Sequence, residues 1–170
     1  GNFTNTSINF TADTPVMIVA NTSTATVINI SVVLNSTQEG GMAITEFSTV
    51  ENQTISGQTK VKFTRITASP NITDNLRWYW LNISYTNAEI SAPVLTESNL
   101  RIWFYNITTA TWQQESNSGV DTSANYVWAN ITHLSLFGIF GTTPSQTSAP
   151  SPATSAPSIG TTSALSTTNV

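Results

Sequence analysis

"TVINISVVL", residues 26–34, alternates apolar and polar side chains along most of its length. In a β-strand successive side chains point to opposite faces, so residues two apart share a face. The face predicted to be buried carries Ile28, Ile30, Val32 and Leu34. Asn29 and Ser31 would then lie on the opposite, solvent-facing side. This pattern is typical of a strand with one buried face, and it predicts a β-sheet protein.

Further segments have a similar character and are separated by turn signals. The other predicted strands are 3–10, 15–20, 41–48, 59–66, 76–86, 100–106, 111–115, 125–131 and 134–140. Turns are predicted at 39–41, 56–58, 69–71 and 117–119, where Gly, Pro, Asn or Ser cluster. A single helical turn is predicted at 86–91, before Pro93. Many short strands with frequent turns predict an all-β sandwich or barrel.

The composition restricts the classes of partner. Charged residues are 8% of the 170 residues, and nine acids against five bases give a net charge of −4. Because no basic patch exists, we expect no nucleic-acid partner. The chain has no cysteine, which excludes a disulfide framework. No apolar run reaches membrane-spanning length, so we expect no membrane span, and we interpret Gly1 as a processed N-terminus.

Asparagines in the acceptor pattern for N-linked glycans are unusually frequent. The chain contains 17 Asn, 21 Ser and 30 Thr, and random placement would give roughly five N-x-S/T patterns. Eleven are present, at Asn2, Asn5, Asn9, Asn21, Asn29, Asn35, Asn52, Asn71, Asn82, Asn106 and Asn130. A Thr-rich composition could produce some of them by accident, but the excess favours glycosylation. Glycans are bulky, neutral and hydrated, so the sequence predicts an extracellular, cell-surface glycoprotein with no other cofactor.

Three of these sites share a longer motif: an aromatic residue, any residue, Asn, Ile, then Ser or Thr. They are WLNIS at 80–84, FYNIT at 104–108 and WANIT at 128–132. Because i and i+2 share a face, Trp80, Phe104 and Trp128 are predicted to point outward and to stack under the attached sugars. The core faces of these strands would carry Leu81, Ile83, Tyr85, Trp103, Tyr105, Val127, Ala129 and Ile131. Two alternatives are core aromatics beside a bulge, and a face covered by another subunit.

The chain divides into three regions by composition. Residues 1–14, or 1–20 in a longer version, form an N-terminal extended segment, and residues 15–141 form the β-sandwich domain. Residues 142–170 form a tail with 15 Ser or Thr and four Pro, without charge or aromatic side chains. Such a tail is typical of a flexible or O-glycosylated stalk.

One stretch carries a family resemblance. Residues 100–141 read LRIWFYNITTATWQQESNSGVDTSANYVWANITHLSLFGIFG. The positions that match the family pattern are Leu100 to Tyr105, Trp112, Val120 to Thr122, Asn125, and His133 to Gly138. The stretch resembles the end of an immunoglobulin-like β-sandwich module common in archaeal cell-surface proteins. This resemblance implies an immunoglobulin-like β-sandwich of about 8–10 short strands, followed here by the Ser/Thr/Pro-rich tail.

The dense acceptor sites, the lack of Cys and the tail also resemble extracellular thread or pilus subunits of thermoacidophilic archaea. The resemblance implies a homopolymer in which a terminal strand of one subunit completes the sandwich of the next, serving adhesion or cell–cell contact. Glycans or cell surfaces would be further partners. The better donor is 7–20, with candidate donor residues Ile8, Phe10, Val16 and Ile18; the tail is the poorer donor. The alternative is that 7–20 pairs within its own domain.

No enzyme motif is present, and we expect no catalytic activity. The one histidine, His133, shares a strand face with Ser135, but the chain has no G-x-S-x-G nucleophile motif. Five glutamates lie in no recognisable motif: Glu46, Glu51, Glu89, Glu97 and Glu115. The acidic residues are scattered, so no metal site is predicted. The competing hypothesis is a monomeric carbohydrate-binding or S-layer-associated module whose Trp and Tyr side chains bind a foreign glycan.

Overall fold

The computed structural model of the chain describes residues 2–22, 26–47, 50 and 54–144. Within this part, two antiparallel sheets pack against each other, so the all-β sandwich prediction is confirmed. The strands are β1 (Asn2–Phe10), β2 (Val16–Asn21), β3 (Val27–Leu34), β4 (Gln38–Phe47), β5 (Thr59–Ala68), β6 (Leu76–Ser84), β7 (Arg101–Asn106), β8 (Thr111–Gln114), β9 (Ser118–Asp121), β10 (Tyr126–Ile131) and β11 (Leu136–Gly141).

The lateral order of the strands differs from their order in the chain. One sheet has six strands in the order β1-β4-β5-β11-β7-β8, and the other has five in the order β2-β3-β6-β10-β9. Neighbouring strands pair antiparallel in both sheets. The edge strands are therefore β1 and β8 in the six-stranded sheet, and β2 and β9 in the five-stranded sheet.

The alternation that predicted β3 is confirmed by its burial. Four side chains of β3 have no exposed surface: Ile28, Ile30, Val32 and Leu34. Asn29 and Ser31 are half-buried and lie on the other face. In the same core, β6 and β10 contribute Leu81, Ile83, Val127, Ala129 and Ile131, opposite Met42, Ile44, Ile66, Ile102, Phe137 and Ile139 of the six-stranded sheet. Removing this apolar area from water is the main driving force for the fold.

The N-terminal segment folds within its own sandwich. Strand β1 pairs with β4, and β2 pairs with β3. Phe10 is 1% exposed and Ile18 is 6% exposed, and Ile8 and Val16 pack against the same core. The candidate donor side chains therefore lie in or against the core of their own chain, as expected if residues 7–20 pair within their own domain. The sandwich also includes residues 2–14, which composition alone had set apart from the domain.

Three predicted turns contain regular elements, and the first of them, 39–41, lies within β4. Residues 69–71 lead into a short helix, α1 (Pro70–Asp74), because Pro is well suited to the first helical position. Residues 117–119 enter β9, which pairs with β10 although Gly119 has a low strand propensity. The indole of Trp128 lies over Gly119, so the absent side chain leaves room for the ring. Tertiary packing decides the structure at this position.

The predicted helical turn is a short helix, α2 (Asn87–Ser91), and its capping carboxylate helps to join the sheets. Glu89 accepts a hydrogen bond from the backbone N–H of Thr86 and completes a capping box. Its other oxygen lies 2.8 Å from Nζ of Lys62, a side chain that is 5% exposed. Lys62 also donates to the hydroxyl of Thr26, which precedes β3, at 2.9 Å. The buried charge is therefore paired and hydrogen-bonded, as a buried ion must be.

The six-stranded sheet has a second apolar cluster on its outer face. Its buried centre consists of Phe63, Trp112 and Phe140, with ring centroids 5.1–5.7 Å apart. Trp103 and Tyr105 pack against this cluster, whereas Phe104 packs against the main core. The predicted facing of β7 is therefore wrong. Because β7 carries apolar side chains on both faces, the alternation did not distinguish the core side from the outer side.

The last described residues leave the sandwich beside the 3₁₀ turn Glu97–Asn99. Thr142 accepts a backbone hydrogen bond from Thr96, and its hydroxyl accepts one from the side chain of Asn99 at 2.9 Å. Most of the predicted tail, residues 145–170, lies outside the described residues, as do Asn52 and Glu51. The described helices are too short to span a bilayer.

Candidate functional site

The outer face of the five-stranded sheet gathers several of the acceptor asparagines. Their neighbours along each strand are buried in the core, so these asparagines point away from it. The indoles of two motif residues share the face. The set consists of Asn21, Asn29, Asn82, Asn130, Trp80 and Trp128, and is called the asparagine–tryptophan face. The shared facing of residues i and i+2 in the WLNIS and WANIT motifs agrees with the sequence prediction.

Strands β6 and β10 pair in a register that sets these two motifs against each other. Trp80 lies opposite Asn130, and Asn82 lies opposite Trp128. Residues directly opposite in an antiparallel pair have Cβ atoms about 5 Å apart, whereas residues i and i+2 are about 6.6 Å apart along a strand. Each tryptophan is therefore nearer to the acceptor asparagine of the neighbouring strand than to the one in its own motif.

The two tryptophan rings stack on each other. The ring centroids of Trp80 and Trp128 are 5.0 Å apart, and the ring planes differ by 13°. An added Cβ on Gly119 would lie 2.6 Å from Cζ2 of Trp128, so only glycine leaves the ring in this position. The sequence predicted two separate rings, each under its own sugar. The structure has one two-ring platform, because the antiparallel register brings the two motifs together.

Asn82 occupies the middle of this face. On β3 its opposite residue is Asn29, and on β10 it is Trp128. The side-chain oxygen of Asn82 is buried and has no hydrogen-bond partner among the described residues. A buried acceptor without a donor costs free energy.

The third motif lies in the other sheet and has a different arrangement. Phe104 packs inward, and its ring meets the ring of His133 edge-on with centroids 4.5 Å apart. The predicted outward position of Phe104 is therefore wrong. Asn106 ends β7, and its side-chain oxygen accepts the backbone N–H groups of Thr108 and Thr109 at 3.0 and 3.3 Å. This is an Asx turn, which holds the asparagine at the rim of the sheet.

A cleft of about 830 Å³ opens beside Asn106. The ends of β5, β7 and β11 line it mainly with apolar side chains, and the guanidinium of Arg65 stacks over Phe47 at one side with a separation of 5.3 Å. Its volume is in the range of small-molecule sites. The described residues that line it include no carboxylate, so the acid pair that a glycosidase requires is not assembled there.

The remaining acceptor asparagines differ in accessibility. Four are exposed: Asn2, Asn5, Asn9 and Asn35. Asn71 is half-buried in α1, where its side-chain amide donates to the backbone oxygen of Glu39 and its oxygen accepts the hydroxyl of Ser69. The amide nitrogen of Asn71 thus holds α1 on β4, and the amide oxygen bonds to the residue that precedes the helix. An attached sugar would have to displace this contact.

The single histidine lies beside a buried carboxylate. Nε2 of His133 is 3.5 Å from Oε1 of Glu115, and neither atom has a hydrogen-bond partner in the described part of the chain. Burial raises the pKa of Glu115 to about 7 and lowers the pKa of His133. Ser135 donates its hydroxyl to the backbone oxygen of Tyr105 at 3.1 Å rather than to the histidine. Sequence reasoning missed the Glu115–His133 pair, because its members come from different parts of the chain.

The other described candidate carboxylates have structural partners. Glu46 accepts the hydroxyls of Thr22 and Thr26, and Glu97 accepts the hydroxyl of Tyr85. Among residues 2–22, 26–47, 50 and 54–144, no three His, Asp or Glu side chains gather as metal ligands would.

Comparison with known proteins adds no relative: no family model, no curated protein and no solved structure matches the chain.

The Gly119→Ala substitution tests the tryptophan platform. The added methyl group would lie 2.6 Å from the Trp128 ring, so the ring must move and the stack with Trp80 is lost. We expect the exciton signal of the paired indoles in circular dichroism to disappear, with a stability loss of about 1–2 kcal/mol. The exposed neighbour Thr122→Ala is the control and should leave the signal intact. An unchanged signal in Gly119→Ala would contradict the stacked arrangement.

The Glu115→Gln substitution tests the buried acid. The pKa of Glu115 is about 7 in the folded protein, and its ordinary value is 4.5. Between pH 4.5 and 7 this carboxyl group is therefore mostly ionised in the unfolded chain and mostly protonated in the folded protein. Wild-type stability should therefore fall as the pH rises through this window, by on the order of 2 kcal/mol. The glutamine variant does not ionise, so its stability relative to wild type should increase by the same amount from pH 4.5 to 7. Urea unfolding at several pH values measures this difference, and a pH-independent difference would refute the assignment.

Proposed function

We propose that this chain is a structural, N-glycosylated β-sandwich module of an extracellular surface. The observation that carries the proposal is the asparagine–tryptophan face, where acceptor asparagines and a stacked indole pair share one side of one sheet. A sheet face with large aromatic rings is a liability in water unless something covers it. Carbohydrate attached to the same face would cover it without a second protein.

The scarcity of charge supports the same proposal. Only 8% of the residues are charged, and the net charge is −4. A soluble surface usually depends on interspersed charged side chains. Neutral, hydrated glycans would take over this role, and their hydration does not depend on the ionisation of carboxylates.

The register suggests how sugars and rings would share the face. A glycan on Asn130 would begin beside Trp80, and a glycan on Asn82 would begin beside Trp128. The apolar face of a pyranose ring can pack on an indole and remove its area from water. Hydroxyl groups of the same glycan would offer donors to the unpartnered oxygen of Asn82.

The proposal extends to assembly as a subunit of an archaeal-type extracellular thread or pilus, serving adhesion or cell–cell contact. Support comes from β1, the first described strand of the chain, which lies at an edge and pairs only with β4 among the described strands. Transfer of β1 to the β4 edge of a neighbouring copy would preserve the contacts of the sandwich, including the burial of Phe10. The polymer would then be linked by main-chain hydrogen bonds and apolar contacts rather than by disulfides.

A second candidate is a carbohydrate-binding module. The half-buried, stacked indoles of Trp80 and Trp128 form a platform that would also suit a foreign sugar. The two functions differ in one observable property, the occupancy of Asn82 and Asn130. Occupied asparagines would cover the platform, whereas bare asparagines would leave it open.

Glycopeptide mapping of native material tests the glycosylated face. We expect sugar on Asn82 and Asn130 and none on Asn71, whose side chain is used in the fold. Thr132→Ala should remove the sugar from Asn130 and lower the free energy of unfolding by about 1 kcal/mol, because Trp80 loses its cover. Thr132→Ser is the matched control, since it keeps the acceptor pattern and the sugar.

Bare Asn82 and Asn130 in native material would refute the glycosylated face and favour the carbohydrate-binding module. Equal stability of Thr132→Ala and Thr132→Ser, with the sugar lost only in the former, would show that the glycan does not cover the indole.

A disulfide lock tests strand exchange, because the chain has no cysteine of its own. Thr4 and Ala43 are paired across β1 and β4, and antiparallel partners have Cα separations that a disulfide can span. We expect the Thr4→Cys/Ala43→Cys variant, oxidised before assembly, to form no filaments, and to form them after reduction as the wild type does. Negative-stain microscopy distinguishes these outcomes. Filaments of the oxidised variant would exclude exchange of β1, and a wild type that never polymerises would exclude the filament.

A further inference from the structure

The four lateral edges of the sandwich differ in how they are protected from pairing with another chain. Strands β8 and β9 have only four residues each, and short edges pair poorly. Strand β1 has nine residues, but its register with β4 is irregular between Asn5 and Ile8. It also carries three acceptor asparagines: Asn2, Asn5 and Asn9. Bulges and bulky polar groups both hinder strand addition.

Strand β2 has no register shift, and the one acceptor asparagine on it, Asn21, is its last residue. Its sequence, VMIVAN, pairs with β3 over six residues without a register shift. Residues 14–22 include no charged side chain. Met17 is 72% exposed and Val19 is 51% exposed, and Val27 on β3, opposite the end of β2, is 38% exposed. Three of the five exposed large apolar side chains in the described residues thus lie at this margin.

The pairing of β2 with β3 indicates which backbone groups face the open edge. Thr22 donates its N–H to the oxygen of Thr26 at 3.2 Å, one step beyond the last pair of the two strands. Hydrogen-bonded and non-hydrogen-bonded pairs alternate in an antiparallel ladder. The residues bonded to β3 are therefore Val16, Ile18 and Ala20. Met17 and Val19 direct their N–H and C=O groups to the open edge.

We propose that β2 pairs antiparallel with β2 of a second copy of this chain, so that two five-stranded sheets form one ten-stranded sheet. A twofold axis at Ile18 sets Met17 opposite Val19 of the partner subunit. The edge-facing N–H and C=O groups of the two strands then form hydrogen bonds with each other. The same register sets Asn21 opposite Pro15 of the partner subunit. Proline has no N–H, so pairing ends there and Asn21 keeps room for a glycan. The exposed apolar side chains of the two copies cover each other.

A second copy suits this edge better than a foreign strand because the edge is complementary to itself. The two copies of β2 are neutral, largely apolar and equal in length. A twofold axis therefore lets each strand pair its edge-facing backbone groups with those of the other. A charged strand would lose hydration here without gaining a partner of opposite charge. This association requires neither carbohydrate nor the exchange of β1, so it is independent of the proposed function.

Sedimentation equilibrium of the full chain over a wide concentration range tests the proposal. We expect the oxidised Thr4→Cys/Ala43→Cys variant, in which β1 cannot exchange, to form a dimer. The further substitution Val19→Pro should weaken this dimer by about thirtyfold, because an edge-facing N–H is lost twice at a twofold interface. Proline is tolerated where the N–H faces outward from an edge strand, so the bonds to β3 remain. Val19→Thr is the matched control, since it keeps the N–H and the β-branched shape. The wild type should form the same β2 contact whether or not it also exchanges β1.

Hydrogen exchange of the wild type supplies a measurement that needs no substitution. The amides of Met17 and Val19 should exchange slowly at high protein concentration and quickly at low concentration. The amide of Ile18, which bonds to β3, should be protected at both. A wild type that stays monomeric, an undiminished dimer in Val19→Pro, or concentration-independent exchange at Met17 and Val19 would each overturn the proposal.

Discussion

Burial of alternate side chains between two sheets is the interaction on which the rest of this structure depends. No cysteine crosslinks the sandwich, and few charges are available to support it. The apolar layer from β3, β6 and β10 against β5, β7 and β11 therefore supplies most of the driving force. The buried ammonium group of Lys62 also helps to hold the two sheets together through its contacts with Glu89 and Thr26. Since one layer stabilises the fold, the outward positions of both sheets are free for other chemistry.

The two outer faces use this freedom differently. The six-stranded sheet covers its own outer face with Phe63, Trp112 and Phe140, which form a small second core. The five-stranded sheet has no such cover in the described residues, and there the stacked Trp80 and Trp128 stand among acceptor asparagines. A face that the chain does not cover itself is the natural place for something added after synthesis. This difference between the faces is the physical basis for proposing a glycan layer on one of them.

Faces and edges of the sandwich suit different occupants. A face offers side chains, so it suits bulky groups such as sugars that pack on aromatic rings. An edge offers backbone N–H and C=O groups, so it suits another strand. Strands β1 and β2 lie at the edges of different sheets, and only β1 combines an irregular register with three acceptor asparagines. The proposed dimer uses backbone groups at the neutral edge of β2, whereas the proposed glycans use side chains of the neighbouring face, so the two proposals depend on different chemical groups.

The sequence by itself determined the all-β class, the strands that alternate clearly and the facing of Trp80 with Asn82, because the two-residue period of a strand is local. It also indicated the helical turn at 86–91, from the position of Pro93. Only the tertiary structure decided the facing of Phe104, since β7 is apolar on both sides and packing energy selects the core side. The same holds for the strand at Gly119, the pairing of Trp80 with Asn130 and the contact of Glu115 with His133. These features depend on which distant segments become neighbours, and strand register and packing carry that information, whereas local periodicity does not.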